Sequence, residues 1–400
     1  MNRCLILWQI KNLIRQDFNM SAGVLNQDEI QQNFIDTDPP RIKSTSDITV
    51  KPDPSSIDLP LGEIYWEMPA SCRPSRDYSV TDLIRTHRGE RHDLEAGTVF
   101  YPNKVYLVQL AWGLELPANI CARSTAKSSI GRLDALVRLV ADHQPEFDRI
   151  AENINTDLYL EVAPITFQLR VRPGIALSQI RFIKGTEDLC TVPSQALQFE
   201  DSPVLVNRDG TSARSRPPEG GDPNAVLLSL DLSPDPNLAF VGFAAKRDQE
   251  QPIDPSLRRP AEGQEDQRYD PVEFWEPVLA DAQTKTITIE KDRFYIFRSK
   301  ERFRVPATLA VECQAYSESL GDIRIHYAGF AHPFFGLERE SGTPLIFEVR
   351  GHSVNTILRD GDPLAKVYFR RMTNPAREDQ KQIYNAQELQ LSGCFKEWPK

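Results

Sequence analysis

Leu158-Tyr159-Leu160-Glu161-Val162 and Leu345-Ile346-Phe347-Glu348-Val349 read as one strand written twice, 187 residues apart. Each is an apolar run carrying a single carboxylate. Arg172-Pro173-Gly174 and Arg359-Asp360-Gly361 keep that offset, as do Phe182 and Phe369. Upstream, Val105-Tyr106-Leu107 runs to Leu116-Pro117-Ala118. Its echo, Arg293-Phe294-Tyr295-Ile296, runs to Val305-Pro306-Ala307. Here Tyr106 and Tyr295, like Pro117 and Pro306, stand 189 residues apart. A near-constant offset over several strands predicts two copies of one β unit. The change from 189 to 187 puts the length difference in the loop between these landmarks.

The rest of the pattern is also that of strands. Ile57, Leu59 and Leu61 alternate within Pro54-Ser55-Ser56-Ile57-Asp58-Leu59-Pro60-Leu61-Gly62, as in a half-buried strand. Two more strands are expected between Leu94 and Leu116, broken at Pro102-Asn103. Apolar runs follow at Leu136 to Val140, Thr166 to Val171 and Ile175 to Ile183. A short helix is expected near Asn26 to Phe34. Short strands at this spacing, with no long helical period, predict an all-β barrel or sandwich with long loops and short helices. The domain reading is an extension over 1–20, a first unit over 21–200, a linker over 201–224 and a second unit over 225–400. The linker is marked by Pro217-Pro218-Glu219-Gly220-Gly221, and a second charged, proline-rich loop covers 246–271.

Between two strands of the first copy lies Ala126-Lys127-Ser128-Ser129-Ile130-Gly131-Arg132-Leu133-Asp134. Two hydroxyls, two cations and a turn of free N–H groups can hold an anion. A surface turn is the plain alternative. The second copy has Tyr316-Ser317-Glu318-Ser319-Leu320-Gly321-Asp322 there instead, and its acid spoils an anion site. What the second copy has of its own is His326-Tyr327-Ala328-Gly329-Phe330-Ala331-His332-Pro333, rich in glycine and aromatics.

Composition narrows the function. The 400 residues carry 47 Lys and Arg against 57 Asp and Glu, a net charge of −10. That argues against a partner that is a nucleic-acid polymer or a membrane surface, and leaves room for a local basic pocket. The six cysteines lie far apart with no CxxC, so neither a zinc site nor a disulfide framework is expected. The histidines form no zinc-deaminase signature. The run Cys4-Leu5-Ile6-Leu7-Trp8 is too short to span a bilayer and is followed by Lys11 and Arg15. Met20 offers an alternative start. A soluble, cytoplasmic protein is expected.

Taken together, Lys127-Ser128-Ser129-Ile130-Gly131-Arg132-Leu133, Tyr159-Leu160-Glu161, Arg172-Pro173-Gly174 and Ser55 to Gly62 resemble the dCTP deaminases of the dUTPase-like superfamily, in their long tandem form. The resemblance implies two tandem dUTPase-like β-barrels (β-clip folds). It also implies zinc-independent conversion of dCTP to dUTP and ammonia by water attack at C4 of cytosine. Mg²⁺ would accompany the triphosphate, sites would lie between barrels of a trimer-based homo-oligomer, and a C-terminal segment would close over the nucleotide. The residues it points to are Ser128 and Arg132 with a proton-handling glutamate. Lys127, Ser129, Tyr327, Ala328, Gly329, Phe330 and His332 would line the nucleotide, with Tyr384, Gln387, Gln390 and Lys396 from the closing segment. Glu161 and Glu348 both qualify as the acid. Because the serine–arginine motif is in copy one and the glycine-aromatic turn in copy two, a composite centre with Glu348 is favoured. His332 stands where the family usually has aspartate, which puts the sugar contact in doubt. Two alternatives stay open: an added or substituted dUTP diphosphatase activity, and a non-catalytic nucleotide-binding regulator.

Overall fold

The sequence offsets reappear as strand partners in the computed structural model of the chain. The structure describes residues 22–44, 48–197, 203–213, 217–218, 221–315, 322–325, 329–379 and 388–399. In the first copy Leu107 lies opposite Glu161, Phe100 opposite Leu169 and Ala126 opposite Ser178. In the second, Ile296 lies opposite Glu348, Ile289 opposite Thr356 and Ala315 opposite Ala365. Each pair maps onto its counterpart by 189 on one strand and 187 on the other. A one-residue slip would turn every side chain to the wrong face, so the duplicated register is a strict constraint. The fold is all-β, two related barrel units with short helices.

In the first unit one strand joins both walls. Ile57–Met68 pairs with Ala176–Lys184 through its first half and with Val105–Leu116 through its second. Its register against Val105–Leu116 shifts between Leu61 and Tyr65, a bulge of the kind that bends a strand from one layer to the next. The second unit divides that job. Val226–Ser229 pairs with Pro363–Arg371, and Gly242–Ala245 pairs with Phe294–Phe303. The insertion between them supplies Asp231 and Asp235, whose carboxylates grip the buried Arg298 guanidinium, with Ser233 O accepting a further bond at 3.0 Å. Within the stretch expected as a linker, Leu205–Val206 adds an edge strand beside Arg302 and Phe303.

The units are sewn together. One apolar core combines barrel residues such as Leu61, Val108, Leu160 and Phe182 with Phe243, Ile253, Trp275, Phe294, Leu391 and Phe395 from the second half. Ile253, from the charged proline-rich loop, donates its N–H to Gln168 O and is fully buried. Gly23–Val24 runs beside Ile183 and Lys184 and also bridges to Met372. The seam also buries charge. Glu312 binds Arg370, with Arg181 3.5 Å away, and Arg370 and Arg123 converge on Glu187. Among the described residues no helix is long and apolar enough to cross a membrane.

Candidate active site

Ile120–Ala126 ends at Lys127, and Ser128–Gly131 then forms a single helical turn. The turn carries two side chains in opposite settings. Ser128 stays exposed, while Arg132 is 5 % exposed. They are joined by a hydrogen bond, with Arg132 Nη2 donating to Ser128 Oγ at 3.0 Å. Arg132 Nη1 donates to the backbone carbonyls of Gln390 and Leu391 at 3.4 and 3.3 Å. The C-terminal segment is thus pinned onto the first copy by the same guanidinium.

A buried carboxyl within the electrostatic reach of this cation comes from the other copy. Glu348 sits on the Thr343–Gly351 strand and is 2 % exposed. Burial lifts its carboxyl well above the usual carboxylate range, the Arg132 charge pulls it down, and Asp134 pushes it further up. Burial likewise lowers the Arg132 guanidinium, with Glu348 opposing that effect. Arginine keeps its proton in proteins, so Glu348 is the member of this pair that changes protonation. A buried carboxyl whose pKa is raised, in the field of a fixed cation, is equipped to take up and return a proton.

Lys127 is ion-paired to Asp58 of the early strand. Behind them Asp53 is raised to about 6 by burial and by Asp58. His332 closes this side. Its Nδ1 lies 3.0 Å from Ser55 Oγ and its Nε2 3.1 Å from Gln179 Oε1. An amide oxygen only accepts, so Nε2 carries the hydrogen and Nδ1 accepts from the serine. Burial, with Arg181 and Lys127 nearby, lowers His332 to about 3, so the ring is neutral. A neutral imidazole therefore cross-links the two copies at this point.

The remaining candidates divide. Ser129 is half-buried on the same turn. Gly329 presses on Cys313, where a Cβ would lie 2.4 Å from the cysteine Cβ, so no larger residue fits without the strands parting. Phe330 packs its ring under the Arg181 guanidinium at 4.4 Å. Gln390 contributes the carbonyl already described. Lys396 is exposed, with its charge beside Asp266 and its N–H on Tyr269 O. Tyr327, Ala328, Tyr384 and Gln387 lie outside the described residues. Glu161 is buried against Arg138, which donates to it from the adjacent strand, and against Ser71 Oγ at 3.2 Å.

Family models match along most of the chain. The 2'-deoxycytidine 5'-triphosphate deaminase (DCD) N-terminal domain matches residues 21–186, and the DCD C-terminal domain matches 204–395. Among solved structures, the 2'-deoxycytidine 5'-triphosphate deaminase from Agrobacterium tumefaciens is similar at 31 % identity and a TM-score of 0.76. That match covers 89 % of this chain and 100 % of the other. The chain belongs to the dCTP deaminase family. No curated protein matches it.

For a dCTP deaminase the contrast between the two glutamates matters most. They occupy equivalent strand positions, yet Glu161 Oε1 is already engaged within the first copy, by Arg138 and by Ser71 Oγ. Replacing Glu161 with Gln removes one side of a buried pair and leaves Arg138 unmatched. The expected result is a loss of roughly 3–5 kcal/mol of stability with turnover per folded molecule unchanged, read by thermal melts beside ammonia release. Asp134, the last residue of the serine–arginine stretch, and Arg350, which no motif marks, follow Arg132 and Glu348 by two positions each. Only the fold brings them together.

Proposed function

We propose that the chain hydrolyses dCTP to dUTP and ammonia in a composite centre built from both copies. The observation that carries this reading is the buried Arg132, bonded to Ser128 in copy one, within the electrostatic reach of the buried Glu348 of copy two. Water approaches C4 of cytosine and gives a proton to the Glu348 carboxylate as the C–O bond forms. The carboxylic acid so produced passes that proton to N3; the carboxylate then takes the second proton from the new C4 hydroxyl and delivers it to the amine, C4=O forms as the C–N bond breaks, and ammonia leaves with the carboxylate restored. Arg132 and Ser128 orient the attacking water and steady the developing charge. Lys127 and the Ser129 turn face the phosphates, where substrate would compete with Asp58 for the lysine. His332, with Nδ1 taken by Ser55 and Nε2 by Gln179, steadies the wall of the site without adding charge.

Mg²⁺ in this reading arrives on the triphosphate. Among the described residues no group of three or more His, Cys, Asp or Glu side chains is clustered for a metal. A magnesium ion held by phosphate oxygens and water needs no protein cage. The enzyme is further proposed to be cytoplasmic and a trimer-based homo-oligomer.

The test is to incubate the purified protein with dCTP and Mg²⁺ and follow ammonia, dUTP and pyrophosphate together. Equal ammonia and dUTP without pyrophosphate is expected. Pyrophosphate release would add the diphosphatase activity. Nucleotide binding without any product would replace the reading with that of a regulator.

A further inference from the structure

One ion pair joins the segments that carry the two central groups. Arg350 Nη1 donates to Asp134 Oδ2 at 2.5 Å and to Thr166 Oγ1 at 3.0 Å. Thr166 Oγ1 in turn donates to Asp134 Oδ2. The other Arg350 nitrogen, Nη2, donates to Asp292 O at 3.2 Å. Asp134 has no solvent exposure and a left-handed backbone with φ 52°, an uncommon conformation for a non-glycine residue. Its carbonyl accepts from Ile165 N–H at 2.9 Å. These bonds fix the carboxylate by both its backbone and its side chain.

The placement is informative. Asp134 lies two residues beyond Arg132 in copy one, and Arg350 two residues beyond Glu348 in copy two. Along a strand, residues two apart share a face, so Glu348 and Arg350 project to the same side of Thr343–Gly351. We propose that Asp134 and Arg350 are the positioning pair of the composite centre. The bridge sets the approach of Glu348 to Arg132 across the seam, and the Asp134 carboxylate acts directly on Glu348. This rests on the reading that Arg132 and Glu348 do the chemistry.

The pair does more than glue two surfaces. Three groups among the described residues exchange charge effects with Glu348: Arg132, Asp134 and the buried thiol of Cys313. Of these, only Asp134 has its charge balanced by a residue on Glu348's own strand. Asp134→Asn removes a negative neighbour from Glu348, whereas Arg350→Gln leaves that neighbour uncompensated. The two changes therefore push Glu348 in opposite directions. A purely structural bridge would respond alike to either. The outer side of the pair opens on a cleft of ≈ 290 Å³ walled in part by Thr166, Lys246 and Phe294, so a released Arg350 can reach water.

The experiment compares D134N, R350Q and the double variant with wild type for kcat and KM toward dCTP across pH. The Glu348 carboxyl is titrated by carbon-13 NMR in parallel. Each single variant is expected to lose at least about 10-fold in kcat, because small displacements of reacting groups are costly. KM is expected to change less than kcat. The acid limb and the Glu348 titration should move to lower pH in D134N and to higher pH in R350Q. The double variant should fall short of the product of the two losses, as coupled sites do. Should either single variant fail to fold, R350K, which keeps the charge but loses the forked contact, takes its place and should lie between wild type and R350Q. Unchanged kcat with an unmoved Glu348 titration would overturn the proposal, even if melting temperatures fell. If wild type itself releases no ammonia, the deaminase reading fails. The Glu348 titration in the variants then still decides the positioning pair.

Discussion

Glu348→Gln is expected to lower dCTP turnover by about 10³-fold or more, since positioned proton transfer accounts for effects of that size. The amide matches the carboxyl in shape and cannot accept the water's proton. Nucleotide binding should survive. Stability should hold or rise, because the buried carboxylate is held against its preference for the protonated form. The sign follows from linkage. The folded pKa lies above the ordinary glutamate value of 4.5. The contribution of Glu348 to stability is therefore complete below about 4.5 and is lost as pH rises through the elevated folded value. Wild type should lose stability over that window relative to the glutamine variant. Equal slopes of melting temperature against pH would contradict the assignment. On the activity side, wild type should show an acid limb above the ordinary carboxylate range, and residual activity in the variant should lack it.

Arg132→Ala carries the second large effect. It removes the cation that opposes the rise of Glu348 and the donor to Ser128, Gln390 and Leu391. Losing the guanidinium leaves buried acceptors without their donor, at roughly 1–3 kcal/mol for each one left unsatisfied. Losing a fixed donor at the reacting centre costs about 10²–10³ in kcat. Arg132→Lys separates these two effects. The lysine retains the charge and rescues part of the stability. A lone ammonium cannot reproduce the fork that reaches both a serine hydroxyl and two carbonyls, so turnover should stay low. Chemical denaturation with steady-state kinetics on both variants checks this. Full activity in the lysine variant would show that charge alone suffices.

How far the chain could be read before its structure was known depended on range. The duplicated strands were legible, because alternation and fixed offsets are local and periodic, and they became the observed cross-strand partners Leu107–Glu161 and Ile296–Glu348. The grouping of Ser128 with Arg132 was legible too, since four residues span one helical turn. The choice between Glu161 and Glu348 was open because the strands around them are alike. What separates them is Arg138, supplied by a neighbouring strand, and Arg132, supplied across the seam. Nor did the early-strand motif reveal that Ser55 would meet His332, a contact spanning 277 positions. The Asp134–Arg350 bridge spans 216, and no local pattern announces it. Lys396, grouped with the phosphate ligands by its place in the closing segment, is exposed with its charge near Asp266. The split of the second unit's first strand came from an insertion whose acids serve Arg298, a need invisible without that arginine's burial.

The common apolar interior has a consequence for how such a molecule comes into being. Phe243, Trp275 and Phe395, contributed by the later half, line the same interior as Leu160 and Phe182 of the earlier half. A ribosome that has released only the first barrel has therefore produced an unfinished object, with a bare hydrophobic wall awaiting chain still to be synthesised. The halves should melt and refold as one cooperative unit, and what began as a duplicated module can no longer be pulled apart into two.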